Sequence, residues 1–233
     1  LTGVRAAHGG SAIGALASPG STLEEMHLLT KVTRGLGSDN IDFRLRQSDF
    51  SADGASAGAP WLGMKIAAVN KLNSVLVVGS FLRKDQPLLS ARLRAATKRG
   101  CRVNVLHAVD TDLLMPVANK YIVRPSEWVQ ALCEIAVAIA GERGERAPVD
   151  GVAAGDRAKA IATSLMAGER KAILLGNAAT QHPQAAQLRA WAQWIAKATG
   201  AAVGVLTEAA NTVGGYAVSA YPRHGGLNAL EMI

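Results

Sequence analysis

Three features of the sequence predict an α/β fold built on doubly wound parallel sheets. Apolar runs of four to six residues alternate with longer amphipathic stretches, the order expected of strands covered by helices. A complete β-α-β unit is legible between Val75 and Leu106. Hydrophobic residues make up 49% of the 233 and charged ones only 18%, which is too apolar for disorder and enough to bury one large or two small cores.

The first unit runs from a strand over 13–17 through Ser18-Pro19-Gly20 into a helix. Ser21 with Glu24 has capping-box spacing, each side chain satisfying an orphan amide of the first turn. Met26, Leu29, Val32 and Leu36 then recur at helical intervals and predict one buried face, with Gly35 and Gly37 as the stop. Residues 51–60 are small and have little to bury, so they read as a loop. The unit that follows has a strand over Val75–Gly79, a helix from Pro87 to Lys98 closed by Gly100, and a strand from Arg102 to Leu106. A right-handed crossover makes those strands parallel. Further elements are a strand at Tyr121–Val123, a helix opening at Pro125-Ser126-Glu127, a helix over 156–166, a strand over Ala172–Leu175, a helix over 184–199 and a strand over 202–206.

Composition removes several functions. No apolar run approaches the ~20 residues that cross a bilayer, so no membrane span is expected. Cys101 and Cys133 lack the spacing of a zinc or iron-sulfur site and read as core residues. The five histidines are scattered, so no metal site is predicted. The formal charge of +7 raises nucleic acid as a partner, but the basic residues are dispersed. The densest group, Arg83, Lys84, Arg92, Arg94, Lys98, Arg99 and Arg102, has no interleaved aromatics to stack bases, so it reads as a solvated or protein-facing surface.

Four groups of residues go further. They are Ser18 to Glu25 with Arg34 to Arg44, Val77 to Arg83 with Pro87 and Lys98-Arg99-Gly100, Thr207 to Gly215, and Gly225 to Ala229. Together they resemble the family of large peripheral-arm subunits of bacterial NADH-quinone oxidoreductase, complex I, whose C-terminal part has the molybdopterin-oxidoreductase fold of the formate dehydrogenase/DMSO reductase type. The resemblance implies two doubly wound subdomains, one inserted in the other. With the linkers at 51–60 and 142–150, it places a discontinuous body over 1–63 and 151–233 and an insertion over 64–141.

Departures from the catalytic members set the functional expectation. The metal-ligand position of those enzymes falls on Ser48, which reads better as a loop hydroxyl beside a turn-forming Asp49. Where they carry Gly-x-Asn and Asp-Pro-Arg turns for the guanosine end of the pterin, this chain has Gly79-Ser80-Phe81 and His107-Ala108-Val109-Asp110. Gly79, Ser80, Asn211 and Gly214 are therefore candidates for a vestigial cleft, with no catalytic residue and no metal ligand. The resemblance implies a scaffold in the peripheral arm of complex I, on the cytoplasmic side of the bacterial inner membrane. It also implies iron-sulfur clusters in an N-terminal part preceding Leu1, docking on that part and on other peripheral-arm subunits, and no molybdopterin. The alternative is an oxidoreductase domain retaining a bound molybdopterin or nucleotide. Trp61, after the small-residue loop, is a candidate docking anchor.

Overall fold

A computed structural model describes residues 1–54 and 58–233, so Ala55 to Ala57 of the predicted loop lie outside the described residues. The chain forms two compact units, Leu1–Trp61 with Thr207–Ile233, and Leu62–Leu206.

The first unit opens with α1 (Thr2–His8), β1 (Ala15–Leu16), α2 (Leu23–Gly35) and β2 (Ile41–Asp42), and β1 and β2 pair in parallel. The capping box lies one residue later than predicted: Glu25 N donates to Thr22 Oγ1 (3.2 Å) and Thr22 N to Glu25 Oε2 (2.8 Å). Helix α2 buries Met26, Thr30 and Thr33, while Val32 is exposed. The threonines bury because their hydroxyls donate to carbonyls one turn back, Thr30 to Met26 and Thr33 to Leu29.

The second unit contains β3 (Ser74–Val78), α3 (Leu82–Asp85), α4 (Pro87–Thr97), β4 (Arg102–His107), β5 (Asn119–Ile122), α5 (Trp128–Arg143), α6 (Asp156–Met166), β6 (Lys171–Leu175), α7 (Asn177–Thr180), α8 (Ala185–Thr199) and β7 (Ala202–Val205). Its sheet has the order β5-β4-β3-β6-β7, all parallel. Strand residues alternate between two cores. Leu76, Val78, Leu106, Ile173 and Leu175 face α5, α6 and α8, with Trp128, Leu132, Ile135, Ile161, Leu188 and Ile195. Val75, Val77, Val103, Val105, Ala172 and Leu174 face the α4 side, with Leu89 and Leu93. The sheet is thus doubly wound. Cys101 and Cys133 are both buried.

The predicted split is corrected here. Strands β6 and β7 continue the sheet of β3 to β5, so 151–206 belongs with the inserted unit and not with the outer body. Residues 142–150 end α5 and lead to α6, and those two helices pack together. A charged Gly/Pro stretch reads alike in a helix connection and in an interdomain linker. What distinguishes them is the nonlocal pairing of Ser74 with Lys171.

After β7 the chain returns to the first unit and forms α9 (Thr212–Ala217). A third small core gathers Ala17, Met26, Ile41, Phe43 and Ala220. Beside it, Arg44 is buried with its Nε and Nη2 on the two oxygens of Asp42 (both 2.8 Å) and its Nη1 on Asp53 (2.7 and 2.8 Å). The guanidinium also lies over Phe50 and Tyr221, 4.9 and 5.2 Å from the ring centroids. Burial opposes the charge, yet the bonds and attraction to Asp42 and then Asp53 outweigh it and raise the Arg44 pKa. Breaking such a pair strands a buried cation. Asp42→Ala is expected to cost about 3–5 kcal/mol, read as a lower urea midpoint for the transition that includes this unit, whereas a midpoint within error of the parent refutes the role.

Candidate functional site

In an open parallel sheet the place for a ligand is the crevice outside the carboxyl ends of the strands, where the winding reverses. Here that point lies between β3 and β6, at Gly79-Ser80 and Gly176-Asn177. The two turns close on each other. A Cβ on Gly176 would stand 2.3 Å from Ser80 Cβ and 2.6 Å from the Gly79 carbonyl oxygen. Gly79 adopts φ +61°, and a Cβ there would meet Ala179 N at 2.7 Å and the Trp128 ring at 2.8 Å. Both glycines serve close packing.

Several backbone amides in and beside these turns are already engaged. Gly79 N donates to Leu106 O (2.9 Å), Gly176 N to Val78 O (2.8 Å) and Ala178 N to Gly79 O (3.0 Å). Phe81 N donates to the Asp85 carboxylate (3.2 Å), which sets a negative charge where a phosphate would need amide donors.

Four rings run along this edge. Phe81 meets His107 edge-on at 4.4 Å, His107 lies 6.0 Å from Trp128, and Trp128 stacks on His182 at 5.8 Å. Trp128 Nε1 donates to Val123 O, and His182 Nε2 is 3.0 Å from Pro125 O. Ser80 and His107 line a small cavity whose rim carries the Asp110–Lys120 ion pair (2.6 Å). His107 Nδ1 lies 3.1 Å from Val109 N and 3.2 Å from Val109 O, so either tautomer of the neutral ring finds a partner there. His107 Nε2, Ser80 Oγ and Asn177 Oδ1 are buried and have no partner among the described residues.

Desolvation lowers the His107 pKa, only partly offset by the Val109 bond and the charge of Asp85. Burial likewise pushes the Cys101 thiol up to about 11, leaving it a poor nucleophile.

The remaining sequence candidates lie in the first unit. Ser48 is exposed, and the neighbouring Asp49 accepts from Ser51 N (3.1 Å) and Ser51 Oγ (2.6 Å), closing a turn. Asn211 precedes α9, receives Gly215 N on its carbonyl and donates its side-chain amide to Ser21 O (2.8 Å). A Cβ on Gly214 would lie 2.1 Å from Asn211 Oδ1, so this glycine lets α9 pack on the asparagine. The polar residues of the first motif turn inward as well. Asp39 accepts from Arg223 N and His224 N, Asn40 from Leu227 N, and Asp42 from Ala229 N.

A family model described as molybdopterin oxidoreductase matches residues 1–233. The chain belongs to the molybdopterin oxidoreductase family. Among solved structures it is similar to a chain of the formyltransferase/hydrolase complex FhcABCD from Methylorubrum extorquens in complex with methylofuran, with a TM-score of 0.56 and 18% identity over 88% of this chain. It spans 56% of that chain, and at this identity the likeness concerns the fold. No curated protein sequence matches.

The family name implies a molybdenum-bound pterin, and the residues present do not fit one. The turns that would cradle its phosphates are closed on each other, the amides of Gly79, Phe81, Gly176 and Ala178 are engaged, and the Asp85 carboxylate faces the position. Among the described residues no group of three or more His, Cys, Asp or Glu side chains is placed to hold a metal ion. The structure brings Gly79 and Ser80 together at the winding reversal, with Ser48, Asn211 and Gly214 in the other unit. Sequence reasoning missed Gly176, Asn177, Trp128 and His182. The apolar run Ala172–Leu175 followed by Gly176-Asn177 repeats the strand-then-glycine pattern of Val75–Gly79, and that signal identifies the second turn.

A buried neutral histidine binds protons less readily folded than unfolded, so the unfolded chain takes up more protons as the pH falls below about 6.5. Stability is therefore expected to decline from pH 7 toward the His107 folded pKa, and His107→Gln to flatten that decline in thermal melts across the range. An unchanged pH profile in the variant overturns this assignment.

Proposed function

We propose that this chain is a non-catalytic scaffold of a molybdopterin-oxidoreductase-fold subunit, with the ancestral cofactor crevice filled by the protein's own side chains. The observation that carries the reading is the mutual closure of the Gly79 and Gly176 turns, backed by Trp128, Ala179 and the Asp85 carboxylate. The four residue groups described above support the finer assignment, the large peripheral-arm subunit of an NADH:quinone oxidoreductase. In that setting electrons pass from NADH to quinone through iron-sulfur clusters held outside these 233 residues. The chain itself stiffens the subunit and offers docking surface to the cluster-bearing part and to neighbouring peripheral-arm subunits, on the cytoplasmic side of the bacterial inner membrane. No helix among the described residues is long and apolar enough to cross a membrane. The structural neighbour's place in a multi-subunit complex is in keeping with such a role.

A second reading is favoured by one specific observation. The orphaned Ser80 Oγ, His107 Nε2 and Asn177 Oδ1 lie in the segments where a bound pterin or nucleotide would be recognised, as an oxidoreductase domain retaining its cofactor requires. Elemental analysis of the purified chain separates the two. The scaffold reading predicts molybdenum, tungsten and iron far below stoichiometric levels and no pterin fluorescence in a denatured extract; about one molybdenum per chain establishes the second reading instead.

A further inference from the structure

The amino-terminal edge of the five-stranded sheet carries charge that neither the fold nor the closed crevice uses. Arg102 and Lys171 open β4 and β6 at matched register on either side of Ser74 in β3. Neighbouring strands lie about 4.8 Å apart, so the two cations stem from backbone positions about 10 Å apart. Arg170 adds its guanidinium beside them, with Nε donating to Lys71 O (2.7 Å), and Arg99 Nη1 donates to Asn70 O (3.3 Å). Lys71, Lys98, Arg99, Arg102, Arg170 and Lys171 thus gather around residues 70–74, all exposed except the half-buried Lys171. None of the six forms an ion pair with a described carboxylate. The stretches 70–74, 97–102 and 168–172 contain a single acidic residue, Glu169.

A local cause covers only part of this cluster. Lys98 and Arg99 follow the C-terminus of α4, where cations complement the helix dipole. Lys71 closes a short 3-10 helix (Ile66–Lys71), whereas Arg102, Arg170 and Lys171 sit before or at strand starts, where no helix ends directly behind them. Like charges this close repel, and an anion relieves the repulsion. Two guanidinium groups are held in place by backbone carbonyls, which orients their planar donor forks toward carboxylates with little further ordering. The three stretches contain no aromatic residue to stack a base, and their Leu72 is buried, so neither base stacking nor bilayer insertion is provided for.

We infer that this edge is a docking surface for an acidic protein face, a partner subunit or segment rich in Asp and Glu. The inference rests on the scaffold reading for the existence of a partner, and it names the chemistry of that partner. The test is fluorescence anisotropy with a fluorescein-labelled polyglutamate peptide of about 20 residues, beside an oligothymidylate of similar length and vesicles of phosphatidylcholine with phosphatidylserine. The peptide is expected to bind most tightly of the three and to weaken steeply between about 50 and 200 mM salt. Lys98→Gln/Arg102→Gln/Lys171→Gln should weaken binding about tenfold or more, while Arg5→Gln/Lys31→Gln/Lys84→Gln, with the same charge removed elsewhere, should change it less than about threefold. Equal losses in the two triple variants, absence of peptide binding by the parent, or tighter binding of the oligonucleotide or vesicles overturns the inference. Thermal melting of both variants separates loss of charge from loss of fold. Metal content of the same preparation reads the scaffold proposal independently, so either can fail alone.

Discussion

The close approach of two turns at the carboxyl ends of β3 and β6 constrains everything around it. Gly176 fits only because it has no side chain to meet Ser80, and Gly79 only because it takes a left-handed conformation beneath Trp128 and against Ala179. With those contacts made, Gly176 N reaches Val78 O and Ala178 N reaches Gly79 O, extending the pairing of the central strands beyond their ends. The ring series Phe81, His107, Trp128 and His182 lies over the result. A crevice that in an open sheet would admit a ligand is consequently filled by packed side chains at the two turns, and Ser80 and His107 border a small cavity beside them.

The first unit turns its polar residues to the same structural use. Asp39, Asn40 and Asp42, the polar core of the motif that carries the family resemblance, accept backbone amides of residues 223–229. Asp42 also holds Arg44, and Asn211 ties the start of α9 to the turn before α2. Residue types that elsewhere serve a cofactor are here internal fasteners between segments far apart in sequence. Motif identity therefore reports shared fold, while the chemistry has to be read from what each side chain touches.

Much of the architecture was legible because it is written locally. The apolar run from Val75 to Val78, proline at the start of α4 and Gly100 after it define the β-α-β unit without reference to anything distant. Threonines misled the reading of α2, since Thr30 and Thr33 satisfy their hydroxyls on their own helix and bury like apolar residues. The domain boundary failed for a different reason: which sheet β6 joins is decided by pairing with Ser74, a contact that no local pattern of residues 142–150 contains. Of the candidate site, Gly79 and Ser80 were visible as a turn after a buried strand, as was the departure at His107. Trp128 and His182 were not, because they reach the crevice from helical and loop segments whose periodicity speaks only of core.

Closure of the β3–β6 crevice is tested most directly by calorimetric titration of the chain with GDP, a stand-in for the guanosine diphosphate end of a pterin dinucleotide. A sealed crevice predicts no saturable heat up to about 1 mM nucleotide. Saturable binding of about 10 μM or tighter, lost on adding bulk at Ser80, would show that the turns open to a ligand and that the scaffold reading is wrong.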